Sequence, residues 1–294
     1  MKILIIGHEG YLGAGLFRAF SRQDHEVLGW SRAQDIASLE RDYLIKNQIQ
    51  AVINCAAVQD RVSSRYLVGS PSDAVNVAGV RHLVEVLRDL PIKLIHFSSK
   101  DVYGTPYRLE DLSEEDDRYV PKHLISDCQP FAPETVYAKT KLISEFLVET
   151  LELATVVRLS SCYTDFDHYR GHWVIAMIKA MQAGKPVTVT KNGKQFRDLL
   201  HVDDLGRLVQ IILEGRHGGV KVNAGGGLEN TVSLLEFVKL VNPRTQVLYN
   251  PEGGDYGFAF KNDLAWERFR WRPEISFHER LPLLLKNIAE RRIS

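Results

Sequence analysis

The sequence predicts an α/β fold, a doubly wound parallel sheet with a smaller second lobe, and three observations carry that expectation. Short apolar runs alternate with helix-periodic segments through residues 2–160, the pattern of βαβ units with helices on both sheet faces. A glycine-rich turn separates the first apolar run from the first helical segment. From Asn223 onward, Gly225, Gly226, Gly227, Gly253, Gly254, Gly257 and several prolines break the chain into short pieces, as in a lobe built from late segments.

Residues 2–6 (KILII) are apolar without interruption and stop at Gly7, as a strand buried on both faces does. Residues 11–22 place Leu12, Leu16 and Phe20 four apart, on one helix face. Residues 26–30 (EVLGW) read as the second strand, 36–48 as a helix and 51–57 (AVINCAA) as the third strand. A helix over 72–89 leads to a fourth strand at 93–98 (KLIHFS). A long helix over 134–152 and a strand over 154–159 follow. The pattern then loosens: 164–196 hold one helix, at 173–183, and 199–213 resume strand and helix.

At roughly 100–200 residues per domain, 294 residues suit one large domain or two intimate ones. The 45% hydrophobic content is too high for a disordered chain. Lys plus Arg and Asp plus Glu number 37 each, so broad attraction to nucleic acid or to an anionic membrane is not expected. Cys55, Cys128 and Cys162 form no CxxC pair, which fits free thiols in a reducing compartment and no metal site. No run approaches the roughly 18–20 apolar residues of a membrane span, and the apolar stretch at 3–6 is too short for a signal-peptide core. The expectation is a soluble, cytoplasmic protein.

Gly7-His-Glu-Gly10-Tyr-Leu-Gly13 lies between the first strand and the first helix. Glycines there let the backbone approach a pyrophosphate, and the helix N-terminus supplies N–H groups and positive potential. Glu9 must then face solvent, because a carboxylate resists an anion. An acid at the end of the second strand would bind the ribose 2′-hydroxyl of NAD. Ser31 and Arg32 stand there instead and suit a 2′-phosphate, so NADP is favoured over NAD. Arg32 as a solvated loop residue is the bland alternative. Asp35 and Ile36 follow, placed to flank the adenine.

Tyr137 and Lys141 are four residues apart, on one helix face. A free tyrosine has a pKa of about 10. A neighbouring ammonium and the positive nicotinamide ring favour the phenolate; lowering the pKa by about three units takes about 4 kcal/mol. The tyrosine then exchanges a proton with a hydroxyl while hydride passes to or from a cofactor. Ser98 and Ser99 end the fourth strand, on the same sheet edge as Gly7, where Ser99 can hydrogen-bond the reacting oxygen.

These motifs, with Asn54-Cys-Ala-Ala57, Asn76-Val-Ala-Gly79, Ser98-Ser-Lys-Asp-Val-Tyr-Gly104 and Arg197-Asp198 before Val202-Asp-Asp204, resemble the extended short-chain dehydrogenase/reductase family, in its NAD-dependent epimerase/dehydratase group. The resemblance covers essentially the whole chain. It implies a Rossmann domain with a smaller C-terminal substrate-binding domain, a homodimer, and NAD(P)-dependent oxidoreduction, epimerisation or dehydration of a nucleotide-linked sugar. The implied division is 1–160 plus 197–222 for the dinucleotide and 161–196 plus 223–294 for the substrate. Carried over by position, Gly7, Gly10, Tyr11, Leu12 and Gly13 cradle the pyrophosphate. Cys55, Ala56, Ala57 and Ser98 line the cofactor, and Asn76 orients the strand-end loops. Ser99, Tyr137 and Lys141 match the catalytic triad, with Tyr137 and Lys141 also on the cofactor. Leu159 and Ser160 match contacts to the carboxamide, and Ser161 and Arg197 match substrate contacts.

The chain departs from the family pattern in three places, one of them the long stretch 105–132 before Tyr137 with its acidic run from Glu110 to Asp117, a solvated face or a lid. Ser161 stands where an asparagine is frequent, and Pro251 and Glu252 stand where a second diphosphate-binding arginine is expected. Lys100 and Asp101 occupy the positions of an acid/base pair in family dehydratases: Asp101 as a base beside a transient ketone, Lys100 as the acid for a leaving hydroxyl, or an ordinary charged pair in a loop. Two other readings stay open: an NADPH-dependent reductase of a non-nucleotide carbonyl substrate, and a non-catalytic NADP-binding sensor or scaffold. The presence of both Tyr137 and Lys141 weighs against the last.

Overall fold

The computed structural model describes residues 1–59, 67–115, 118–166, 172–215 and 218–290. The first half runs β1 (Lys2–Ile6), α1 (Tyr11–Ser21), β2 (Glu26–Trp30), α2 (Arg41–Lys46) and β3 (Ala51–Asn54). Next come α3 (Pro71–Asp73), a π-helical stretch Ala74–Gly79, α4 (Val80–Leu87) and β4 (Lys93–Ser99). An antiparallel hairpin, β5 (Leu112–Glu115) with β6 (Arg118–Pro121), precedes α5 (Val136–Val148) and β7 (Ala154–Leu159). Then follow β8 (Ser161–Tyr163), α6 (Trp173–Gln182), β9 (Val187–Thr190), β10 (Phe196–His201), α7 (Val202–Glu214) and β11 (Val220–Ala224). The chain closes with β12 (Thr231–Ser233), α8 (Leu234–Val241), β13 (Val247–Asn250), α9 (Asp263–Phe269) and α10 (Phe277–Glu290).

Six parallel strands form the main sheet in the order β11-β7-β4-β3-β1-β2. Alternate residues of a strand face opposite sides, and here both sides are covered. Ile3, Ile5, Ile53 and Val157 pack under Leu16 and Phe20 of α1 and Leu205, Leu208 and Val209 of α7. Leu4, Ile6, Val52 and Val156 pack under Leu44 of α2, Leu83 and Val84 of α4 and Val148 of α5. Burial on both faces explains why the strands read as unbroken apolar runs. From β1 the chain moves outward to β2 and returns to β3 on the other side of β1. At such a reversal a crevice opens beyond the strand C-termini, where ligands of these sheets bind.

The second lobe holds a β12-β10-β8 sheet and a β13-β9 pair. Its core joins Val174 and Ile178 of α6, Phe237 of α8 and Phe277 and Leu284 of α10. Buried carboxylates tie it to the rest. Asp198 accepts the main-chain N–H groups of Gly226 and Phe260, and Asp204 those of Glu274 and Ile275. No helix among the described residues is long and apolar enough to cross a membrane.

Three expectations shift. The helix expected over 36–48 is broken at its start: Asp35 has φ 45°, its carboxylate accepts from the Ala37 N–H, and only α2 remains regular. The third strand ends at Asn54, whose side-chain oxygen accepts the Ala56 N–H and turns the chain. Residues 197–201, assigned with the dinucleotide domain, pair with β8 and β12 in the small sheet, while the main sheet continues through Ala224. Only Ser160 separates β7 from β8; the chain leaves the main sheet there, and β10 follows β8.

Candidate active site

The glycine loop closes on backbone. Gly7 has φ 76°, and a Cβ on it would lie 3.0 Å from the Ala56 nitrogen. A Cβ on Gly13 would lie 2.2 Å from the Gly7 carbonyl oxygen. No side chain can yield there to relieve the clash. The Gly10 N–H donates to the Gly7 carbonyl at 3.0 Å, which sets the turn into α1. Main chain lines this part of the crevice, and the first turn of α1 supplies N–H groups for an anion. The residues present therefore fit a dinucleotide pyrophosphate. Gly13→Ala is expected to abolish NAD binding and to lose about 1–3 kcal/mol of stability, as read by calorimetric titration and denaturant unfolding.

Glu9 is exposed, as anion binding requires. The side chain of Tyr11 turns to the second lobe, where its hydroxyl accepts the Thr164 N–H at 2.9 Å and its ring stacks on His172 at 4.0 Å. The Tyr11 phenol is thus committed to the second lobe. Leu12 packs toward the core. His8 went unnoticed in the sequence: its ring lies over Gly29, where a Cβ would come within 2.5 Å. A glycine inside a strand is the signal for such close approach.

Asn76 fastens the loop after β3. Its amide brackets Val58, taking the N–H and giving to the carbonyl at 2.9 Å each, and donates to Thr140 Oγ1 on α5 at 3.0 Å. It is fully buried and ties Val58, the residue after Ala57, to α5. Burial pushes the Cys55 thiol up, which keeps it neutral. Ile36 is buried too, against Gly79.

At the end of β4 the two serines part. Ser98 Oγ donates to Glu145 Oε1 at 2.5 Å in the interior: successive strand residues face opposite sides, and the Ser98 side chain points into the core. Ser99 Oγ accepts the Asp101 N–H at 3.2 Å and keeps its own proton to donate. Thr135 caps α5 by accepting the Ala138 N–H. One turn on, Lys141 Nζ donates to the Phe97 carbonyl at 2.7 Å. That bond pins the Tyr137–Lys141 face of α5 to β4 two residues before Ser99. Tyr137 is 5% exposed and Lys141 3%.

Burial lowers the Lys141 pKa from 10.5 to about 8, although the Glu145 carboxylate pulls it upward. Burying the ammonium therefore costs stability in full below about pH 8. As pH rises from there toward the unfolded value, the unfolded chain holds the extra proton, and stability grows by up to about 1.4 kcal/mol per pH unit. Lys141→Met is expected to lack this rise. Denaturant midpoints of both proteins between about pH 7 and pH 10 check it.

Leu159 ends β7 between Ser99 and Ala224, and the Ser160 N–H donates to the Ala224 carbonyl at 3.1 Å. Ser161 starts β8 opposite Leu199. In the second lobe, Arg197 Nη1 lies 3.1 Å from Asp255 Oδ1. Lys100 Nζ lies 2.6 Å from Asp101 Oδ1, 4.0 Å from Asp255 Oδ2 and 4.1 Å from the centre of the Phe258 ring.

A buried network lies behind these groups, unforeseen in the sequence. Arg158, 3% exposed, meets Glu145 with two nitrogens, at 3.0 and 2.7 Å, and donates to the Tyr103 hydroxyl at 2.8 Å. Tyr103 donates to Asn223 Oδ1 at 2.8 Å, and the Asn223 N–H donates to Asp127. Desolvation pushes the Asp127 carboxyl up to about 6. The available signals were an arginine inside an apolar strand and a glutamate four residues after Lys141.

Residues 3–225 match the model of the NAD dependent epimerase/dehydratase family. The chain belongs to this family. Among its relatives is the dTDP-glucose 4,6-dehydratase of Neisseria meningitidis serogroup B, 27% identical over 281 residues, 82% of this chain and 74% of the relative. The dTDP-4-dehydro-6-deoxy-D-allose reductase of Streptomyces bikiniensis is 24% identical over 85% of this chain and 82% of its own. The fold matches UDP-glucuronic acid 4-epimerase from Bacillus cereus, in complex with UDP-glucuronic acid and NAD, with a TM-score of 0.82 at 21% identity over 99% and 100% of the two chains. It also matches dTDP-glucose 4,6-dehydratase from Bacillus anthracis, in complex with NAD, with a TM-score of 0.78 at 19% identity over 100% and 97%.

The preference for NADP is overturned by these comparisons: the family is NAD dependent, and both neighbouring structures hold NAD. The loop after β2 shows why Ser31 and Arg32 misled. The Ser31 N–H is taken by Gln34 Oε1 at 2.8 Å, Arg32 is exposed, and the Asp35 carboxylate follows three residues on. One solvated cation beside an acid is a poor match for a doubly charged phosphate.

Proposed function

We propose that this family member is an NAD-dependent enzyme of nucleotide-sugar chemistry, acting at a sugar carbinol carbon. The observation that carries the reading is the buried Lys141 ammonium, fixed to the Phe97 carbonyl beside Ser99 and one turn from Tyr137. NAD, when bound, supplies the hydride acceptor. Gly7, Gly10 and Gly13 hold its pyrophosphate, and Asn76 keeps the Cys55–Ala57 loop against it. Ser99 donates to the reacting oxygen. Tyr137 takes the hydroxyl proton, and the Lys141 charge favours its phenolate. Arg197 faces the substrate diphosphate.

Lys100 and Asp101 hold each other at 2.6 Å. The Asp101 carboxylate is turned to the Lys100 ammonium rather than left open to a sugar proton, which favours epimerisation or reduction over elimination of water. Incubation with NAD and a panel of UDP- and dTDP-hexoses, followed by nuclear magnetic resonance of the products, tests the reading. A nucleotide sugar altered at one carbon is expected. An enzyme that binds NAD yet alters none of the panel contradicts it.

A further inference from the structure

We propose that Asn54, His96 and Ser144 are positioning residues, a one-way hydrogen-bond relay that couples the loop after β3 to the turn of α5 carrying Lys141. The inference rests on the reading above, in which NAD meets both that loop and Lys141.

The sheet register builds the row. Asn54 and His96 are paired residues of the adjacent strands β3 and β4. They lie two residues after Val52 and Leu94, so they share the face on which those residues and α5 pack. That face is otherwise largely apolar, and Asn54, His96 and Ser144 are all buried in it. The bonds run in one direction. The Ala56 N–H donates to Asn54 Oδ1 at 3.1 Å, which leaves the Asn54 amide nitrogen to donate to His96 Nδ1 at 3.2 Å. His96 therefore carries its proton on Nε2 and donates to Ser144 Oγ at 2.9 Å. Ser144 Oγ donates to the Lys141 carbonyl at 2.7 Å. Burial and the nearby Lys141 ammonium hold the imidazole well below its usual pKa, so it stays neutral. Removing any one group orphans a buried donor or acceptor.

The ends of the row give it a role beyond packing. One end is the main chain of the loop expected to line the cofactor. The other is the carbonyl of Lys141, whose Nζ is already held by the Phe97 carbonyl. Neighbouring residues of β4 thus grip Lys141 twice, Phe97 by its ammonium and His96, through Ser144, by its main chain. Asn76 repeats the pattern. It holds Val58 and donates to Thr140 Oγ1, which donates to the Tyr137 carbonyl at 2.8 Å. Loop residues 56 and 58 are each tied, through buried side chains, to the main chain of Lys141 and Tyr137.

Amide hydrogen exchange of the protein without NAD, followed by nuclear magnetic resonance, and calorimetric NAD titration test the relay in Asn54→Ala, Ser144→Ala and the double variant. Ser144→Ala is expected to speed exchange of the Ala56 amide by about threefold to tenfold, the worth of one hydrogen bond, while the amides of α7 keep their wild-type rates. Each single variant is expected to weaken NAD by a similar factor. The double variant is expected to be no worse than the worse single, because both cut the same chain of bonds. With a nucleotide sugar that the enzyme converts, Ser144→Ala is expected to lower kcat by about the same factor and to leave the sugar KM within about twofold. Unchanged Ala56 exchange in Ser144→Ala, or losses of NAD affinity that multiply in the double variant, overturns the relay and leaves the nucleotide-sugar reading intact. Faster exchange throughout α7 makes Ser144 a general stability residue and overturns the relay as well. If the wild type binds NAD but converts no nucleotide sugar, that reading falls, and exchange and NAD titration still decide the relay.

Discussion

Tyr137→Phe is expected to lower kcat by about 10²–10⁴-fold and to leave NAD affinity within about twofold of wild type. The substitution deletes one oxygen from a ring that is 5% exposed, so packing is kept and the proton acceptor is lost. Lys141 stays bonded to the Phe97 carbonyl, so its position is unaffected. Steady-state kinetics with the nucleotide sugar, beside calorimetric NAD titration, separates the two effects. An unchanged kcat removes Tyr137 from the chemistry. Loss of NAD binding makes the residue a structural one.

Glu145→Ala is expected to cost about 3–5 kcal/mol of stability, because it leaves a buried guanidinium without its counter-charge. Arg158 is 3% exposed and directs two nitrogens at Glu145; Ser98 loses its acceptor at the same time. The pair ties α5, which carries Tyr137 and Lys141, to β7, and Ser98 adds β4. A lowered denaturant midpoint with an unchanged slope is the expected signature. A cost below about 1 kcal/mol, the level of an exposed pair, contradicts the buried role.

The main sheet was legible because its strands are covered on both faces, so β1, β3, β4 and β7 stand out as apolar runs. The small sheets were not, because β8 and β12 have three residues each and owe their pairing to distant partners. Gly7, Gly13, Tyr137 and Lys141 could be placed because local spacing fixes their geometry. Strand alternation separates the Ser98 side chain, bonded to Glu145, from that of Ser99. Arg32 misled because one residue type was read without its exposure or its neighbour Asp35. The approach of Lys100 to Asp255 joins β4 to the C-terminal segment, a tertiary contact with no local sequence signal.

The most direct test of the hydride-transfer site is a single turnover of the NAD-loaded enzyme with a nucleotide sugar it converts, followed by the absorbance of reduced nicotinamide. Reduced nicotinamide is expected to form in the wild type, and Tyr137→Phe is expected to slow it by the factor seen in kcat. Conversion of the sugar with no nicotinamide reduction, or the same rate of reduction in Tyr137→Phe, contradicts a proton-coupled hydride transfer at Tyr137.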